Sequence, residues 1–79
     1  MQVELTKVVD DEGCVEYLFL VFAARPGRLM LRKHDGEIEL LEPCPDDPDD
    51  EILVTVAIAI RGHWRSGLFP ETASVRHSR

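Results

Sequence analysis

The chain has two cysteines, Cys14 and Cys44, and they form no Cys-x-x-Cys pair. Two are too few to staple a small secreted scaffold, so a reducing, cytoplasmic setting is expected. Cys44 stands among Glu42, Asp46 and Asp47, where negative charge disfavours the thiolate that a catalytic nucleophile needs. The histidines, His34, His63 and His77, are scattered without His-x-x-x-His spacing, so zinc lacks its usual ligand pattern. Neither a metal ligand set nor a cofactor is expected. No apolar run approaches the roughly 20 residues of a membrane helix. The opening MQVELTKVVDDEG has no basic region followed by a hydrophobic core, so no secretory signal is expected. Also missing are a Gly-x-Ser-x-Gly elbow, a phosphate-cradling glycine loop and a local Cys/His signature, which leaves no catalytic residue to nominate.

Positive charge is scarce where negative charge is dense. Residues 35–51 carry nine acidic and no basic side chains, whereas residues 52–79 carry four arginines against the single acid Glu71. With a net charge of −6, a general nucleic-acid-binding surface is not expected, because phosphate attraction needs concentrated basic charge. The acidic run Asp46, Asp47, Asp49, Asp50 and Glu51 offers hard oxygen ligands of the kind calcium and magnesium prefer. Its spacing fits no calcium loop, and Pro48 stiffens its middle, so a solvated acidic loop is the better account. His34, beside Asp35 and Glu37, could be drawn as a proton-transfer group, but a turn position is ordinarily a surface one.

What the chain does have is β-branched and aromatic residues in short apolar stretches. At 79 residues they make one small domain, near the lower limit for a self-sufficient core. Residues 3–9 predict a first strand, and Asp10-Asp11-Glu12-Gly13 a turn in which the glycine is free to take positive φ. That loop pairs Val9 with Cys14, Lys7 with Glu16 as an ion pair, and Leu5 with Leu18. Residues 15–24 predict a second strand, apolar on both faces; a helix there is the alternative. Arg25-Pro26-Gly27-Arg28 has the residues of a type II turn leading into a third strand, 28–33. Asp35-Gly36 marks a two-residue hairpin into a fourth strand, 37–42, setting Leu31 opposite Leu40 and Lys33 opposite Ile38 on one face. The same register sets Arg32 opposite Glu39 and His34 opposite Glu37 on the other face.

After the proline-rich loop EPCPDDPDD, the stretch EILVTVAIAIR predicts a fifth strand over 51–61. Ile52, Val54, Val56, Ile58 and Ile60 fall on one side and Leu53, Thr55, Ala57 and Ala59 on the other, so it would need cover on both. The expected fold is all-β: a strongly curved, five-stranded antiparallel sheet, barrel- or sandwich-like, with α+β through a helical 15–24 as the alternative. Residues 1–70 form the domain, and 71–79 are expected to fray. With no helix to shelter two-faced strands, the sheet must wrap upon itself or borrow a second copy. Finding 15–24 or 52–60 helical would remove that ground, and the expectation of association along with it.

The segment Arg61, His63, Trp64, Arg65, Leu68 and Phe69 is the candidate partner-binding site, because Trp and Arg are enriched at interface hot spots. The bland account is that Trp64, Leu68 and Phe69 fold back to plug the sheet, as small cores recruit every large apolar group. The expected function is a non-catalytic interaction or structural module that forms a homodimer or docks on a larger protein. One alternative is a small nucleic-acid-binding barrel, with Tyr17, Phe19 or Trp64 stacking on bases and Arg61, Arg65, Arg76 and Arg79 on phosphates. Another is a metal-binding module or small enzyme subunit.

Overall fold

The computed structural model describes residues 1–21 and 25–77. Four consecutive strands, β1 (Gln2–Asp10), β2 (Cys14–Leu20), β3 (Gly27–Arg32) and β4 (Ile38–Glu42), are followed by a helix, α1 (Glu51–Ser66), and a last strand, β5 (Thr72–Arg76). All neighbours pair antiparallel, in the order β4-β3-β2-β1-β5. Five strands are therefore present, but the sheet is open rather than closed into a barrel. The expectations of an all-β chain and strong curvature are corrected accordingly: the domain is mainly β with one helix. The helix is not at 15–24 either, since residues 14–20 form β2. Residues 22–24, where that strand was expected to end, lie outside the described residues.

The larger correction concerns 51–61, which is helix rather than strand. Its alternating bulky row hides a second period: Ile52, Val56 and Ile60 are four apart, and they alone of that row are buried. Val54 and Ile58, the other members, face away from the sheet. Four-residue spacing keeps side chains on one helical face, so a sheet-covering helix satisfies the core with half the row. Both ends are well terminated. The Asp47 carboxylate accepts from the backbone N–H of Ile52 at 3.0 Å and of Leu53 at 2.8 Å, serving two of the donors that every helix start leaves open. Gly67, at φ 79°, turns left-handed, with its own N–H donated to Trp64 and the Leu68 N–H to His63. Glu51 in the first turn and His63 and Arg65 in the last also suit the helix dipole.

α1 carries the chain from the β4 edge to the β5 edge across one face. Sixteen residues span about 24 Å, enough for the roughly 19 Å between the outer strands of a five-stranded sheet. Beneath it lie Val3, Leu5, Val15, Tyr17, Phe19, Leu29 and Leu31, all essentially inaccessible, with Ile38, Leu40, Ala73 and Val75 at the margins. Thr72–Arg76, expected to fray, instead pairs with β1 from Gln2↔Arg76 to Thr6↔Thr72. Its alternate residues Ala73 and Val75 give that edge an apolar side facing the core. Residues 78–79 lie outside the described residues.

Register differs from expectation in both hairpins. At the turn end Val9 pairs with Glu16 and Asp10 with Val15, two residues from expectation, and an extra residue, Val8, then bulges from β1 and takes back one, so Leu5 pairs with Phe19 and Lys7 with Tyr17. Lys7 and Glu16 are thus not partners; Glu16 accepts from Arg28 Nε at 2.7 Å. Gly13 does not take positive φ; the turn is held by Asp11 Oδ1, which accepts from the N–H groups of Gly13 and Cys14. The second hairpin loop is Lys33–Gly36, longer than two residues, since Arg32 donates to the carbonyl of Glu37. Leu31 consequently faces Ile38, and Leu29 faces Leu40. That slip of two residues preserves every side chain's face, so the apolar side agrees with expectation while the partners differ. Gly27 opens β3 outside the left-handed region, so the expected type II turn is not formed around it. It is glycine for another reason: a Cβ there would run into the Phe19 ring.

Candidate interaction surface

The six residues nominated as partner-binding come from the last turns of α1 and the connection to β5, and the structure divides them. Arg61 and Trp64 turn to the β3–β4 loop. Arg61 Nε donates to the Gly36 carbonyl at 3.1 Å, and Trp64 Nε1 donates to the Lys33 carbonyl at 2.7 Å. Trp64 also lies against Gly36, where a Cβ would come within 2.6 Å of the indole ring. His63, Leu68 and Phe69, with Ser66 and Pro70, line a shallow depression of about 430 Å³. Arg65 points outward and makes no ion pair with a described residue.

The connection carrying Leu68 and Phe69 is tied down by polar contacts that strand propensity could not announce. Lys7 Nζ donates to the Phe69 carbonyl at 3.0 Å and pairs with Asp10 at 2.9 Å and Glu71 at 3.2 Å. Lys33 Nζ sits 5.3 Å above the Phe69 ring and pairs with the other oxygen of Asp10. Tyr17, buried under α1, donates its hydroxyl to the Pro70 carbonyl at 2.5 Å. These contacts set the local proton affinities. The hydrogen bond to Asp10 raises the Lys7 pKa, and those from Lys33 and Lys7 lower that of Asp10. Burial pushes the Tyr17 phenol up, and burial together with Asp11 raises the Cys14 thiol. The only sequence signal for this cluster was a lysine at position 7 on an otherwise inward-facing row.

Leu68 was expected either to plug the sheet or to bind a partner, and it remains 74% exposed. Phe69 and Trp64 do fold back, half-buried against the core. Along α1 itself, Val54 is 57% and Ile58 66% exposed. The uncovered face of the sheet is less apolar, for half-buried Leu18, Leu20 and Met30 are interleaved with Glu4, Thr6, Glu16, Arg28 and Glu39.

Elsewhere the alternatives meet specific obstacles. Tyr17 and Phe19 are buried beneath the helix and cannot stack on bases; Arg76 is exposed on β5, and Arg79 lies outside the described residues. In the acidic loop, Asp47 is engaged by the helix start, while Asp46 Oδ2 is buried without a hydrogen-bond partner among the described residues. Among the described residues no three His, Cys, Asp or Glu side chains converge as a metal site. Both cysteines are unbridged, Cys44 within the core and Cys14 half-buried. No described helix is long and apolar enough to cross a membrane. Compared with family models, curated proteins and solved structures, the chain has no significant match in any of the three.

Proposed function

We propose that the protein is a non-catalytic interaction module whose helix-bearing side recognises a protein surface, in the first instance that of a second copy. The original ground for association, strands with nothing to cover them, falls with the helical state of 51–66. A different observation carries the proposal: Val54, Ile58 and Leu68, three large aliphatic side chains, stand well exposed on one helix and the connection after it. In a 9.0 kDa chain that needs its apolar residues for the core, such placement has no stabilising role within the monomer. Of the nominated residues, Arg65 and Leu68 are presented outward, His63 and Phe69 floor the depression beside them, and Arg61 and Trp64 hold the helix end against the β3–β4 loop.

Sedimentation equilibrium across about 5–200 μM tests this, a range that brackets micromolar complexes. A mass rising with concentration towards twice that of the chain supports self-recognition. A constant monomer mass across the range overturns it.

A further inference from the structure

We infer that α1 is one half of a two-fold, antiparallel helix seam centred on Ile58, with a second copy of this chain as its occupant; the inference rests on the self-recognition proposed above. The exposed residues of α1 are Glu51, Val54, Ile58, Gly62, Arg65 and the terminal Ser66, and the first five form a pattern. Their spacing of three, four, four and three places all five on one stripe. That stripe is symmetric about Ile58 in position and antisymmetric in charge. Val54 and Gly62 stand four residues either side of it, and Glu51 and Arg65 seven either side.

Antiparallel pairing about a two-fold axis through Ile58 therefore makes every contact complementary. Ile58 meets its own copy. Val54 meets the partner's Gly62, a β-branched knob against a position without a side chain. A Cβ at Gly62 would meet nothing within 4 Å among the described residues, so no packing among them calls for glycine there. Gly in a helix interior is less stable than Ala, and close approach of another backbone is a reason to retain it. Glu51 meets the partner's Arg65 at each end, once in each direction. The surroundings reinforce this match at the acidic end, where Asp49 and Asp50 are exposed beside the helix start. Parallel pairing would instead stack acid on acid and align the dipoles unfavourably.

The seam is about 24 Å long, shorter than a standard interface of about 1,600 Å² needs. A complex in the micromolar range is expected, weakened by salt because its end pairs are exposed.

The test is sedimentation equilibrium of the full chain and four variants, each checked for fold by far-ultraviolet circular dichroism. Ile58→Glu should weaken dimerisation at least about tenfold, since it places two carboxylates together on the axis. Glu51→Arg and Arg65→Glu alone should each weaken it several-fold, and the double variant should recover most of the loss. That recovery cannot come from monomer stability, because each reversal opposes the helix dipole and the two together oppose it more. A wild-type dimer indifferent to Ile58→Glu, or a double variant no better than the singles, overturns the seam and leaves self-recognition by another surface standing. A wild-type chain monomeric throughout overturns both.

Discussion

Trp64 donates its indole N–H to the carbonyl of Lys33 at 2.7 Å, from the last turns of the helix to a hairpin loop 31 residues earlier. Together with Arg61 on the Gly36 carbonyl, this bond determines where the C-terminal end of α1 rests on the sheet. The indole can settle there because position 36 has no side chain and adopts φ 73°.

Replacing Trp64 with Phe keeps an aromatic ring and removes the donor. Stability should fall by about 1–2 kcal/mol, the loss of one partly buried hydrogen bond plus some contact area. The urea midpoint measures it. An unchanged midpoint would mean that the loop does not hold the helix end.

Tyr17→Phe probes the other tether. The phenol reaches from the core floor to the Pro70 carbonyl, so its removal leaves that acceptor partly buried and unserved. A cost of about 1–3 kcal/mol is expected, with faster amide exchange in β5 because the connection leading into it is released. Equal exchange in β5 for both proteins would contradict the tether.

At the helix start the same kind of argument applies to Asp47. Asp47→Ala deprives Ile52 and Leu53 of their acceptor and should cost about 1–2 kcal/mol. Asp49→Ala, on an exposed neighbour with no hydrogen bond to the helix, should stay within about 0.5 kcal/mol. Thermal melts that rank the two variants the other way would refute the capping role.

Stability should also respond to pH at both ends. The carboxyls of Asp10, Asp11 and Asp35 are held low, chiefly by the Lys33 ammonium, the Cys14 N–H and the Glu37 N–H respectively. A depressed folded-state pKa contributes stability above the unfolded value, about 3.9, and loses it as pH falls through the folded value. Lys7 is raised, chiefly by its hydrogen bond to Asp10, and Tyr17 by burial. Those contributions are complete below unfolded values of about 10 and decline as pH rises through the folded ones. Chemical denaturation should thus show a plateau between about pH 5 and 9 and a decline on either side. A midpoint constant from pH 7 to pH 3 would mean that the three aspartates make no such contacts in solution.

The residues of β1 to β4 state their own structure. The apolar stretches 3–9 and 15–20, the Asp10–Gly13 turn and the polar/apolar split of 28–42 mark four antiparallel strands, and 28–42 its inward face as well, whereas 15–20 is apolar on both sides and does not declare which is inward. Partners were less legible, because the Val8 bulge and the four-residue loop Lys33–Gly36 shift register without changing composition. Of the nominated site, Arg65 and Leu68 are presented outward, while the anchoring of Trp64 and Arg61 depends on loops distant in sequence.

Ile52 to Ile60 is where local preference and tertiary demand part. β-branching favours extended chain, but the strength of that preference is at most about 1 kcal/mol per residue, and a row repeating every two residues also repeats every four. A four-strand meander with one apolar face bare offers far more to a segment that can cover it. Asp47 and Gly67 then supply the ends. The amino-acid order alone determined that this segment is apolar and must be buried on at least one side. Only the assembled sheet decided which side, by making the helix the conformation that buries Ile52, Val56 and Ile60 and turns Val54 and Ile58 to the solvent.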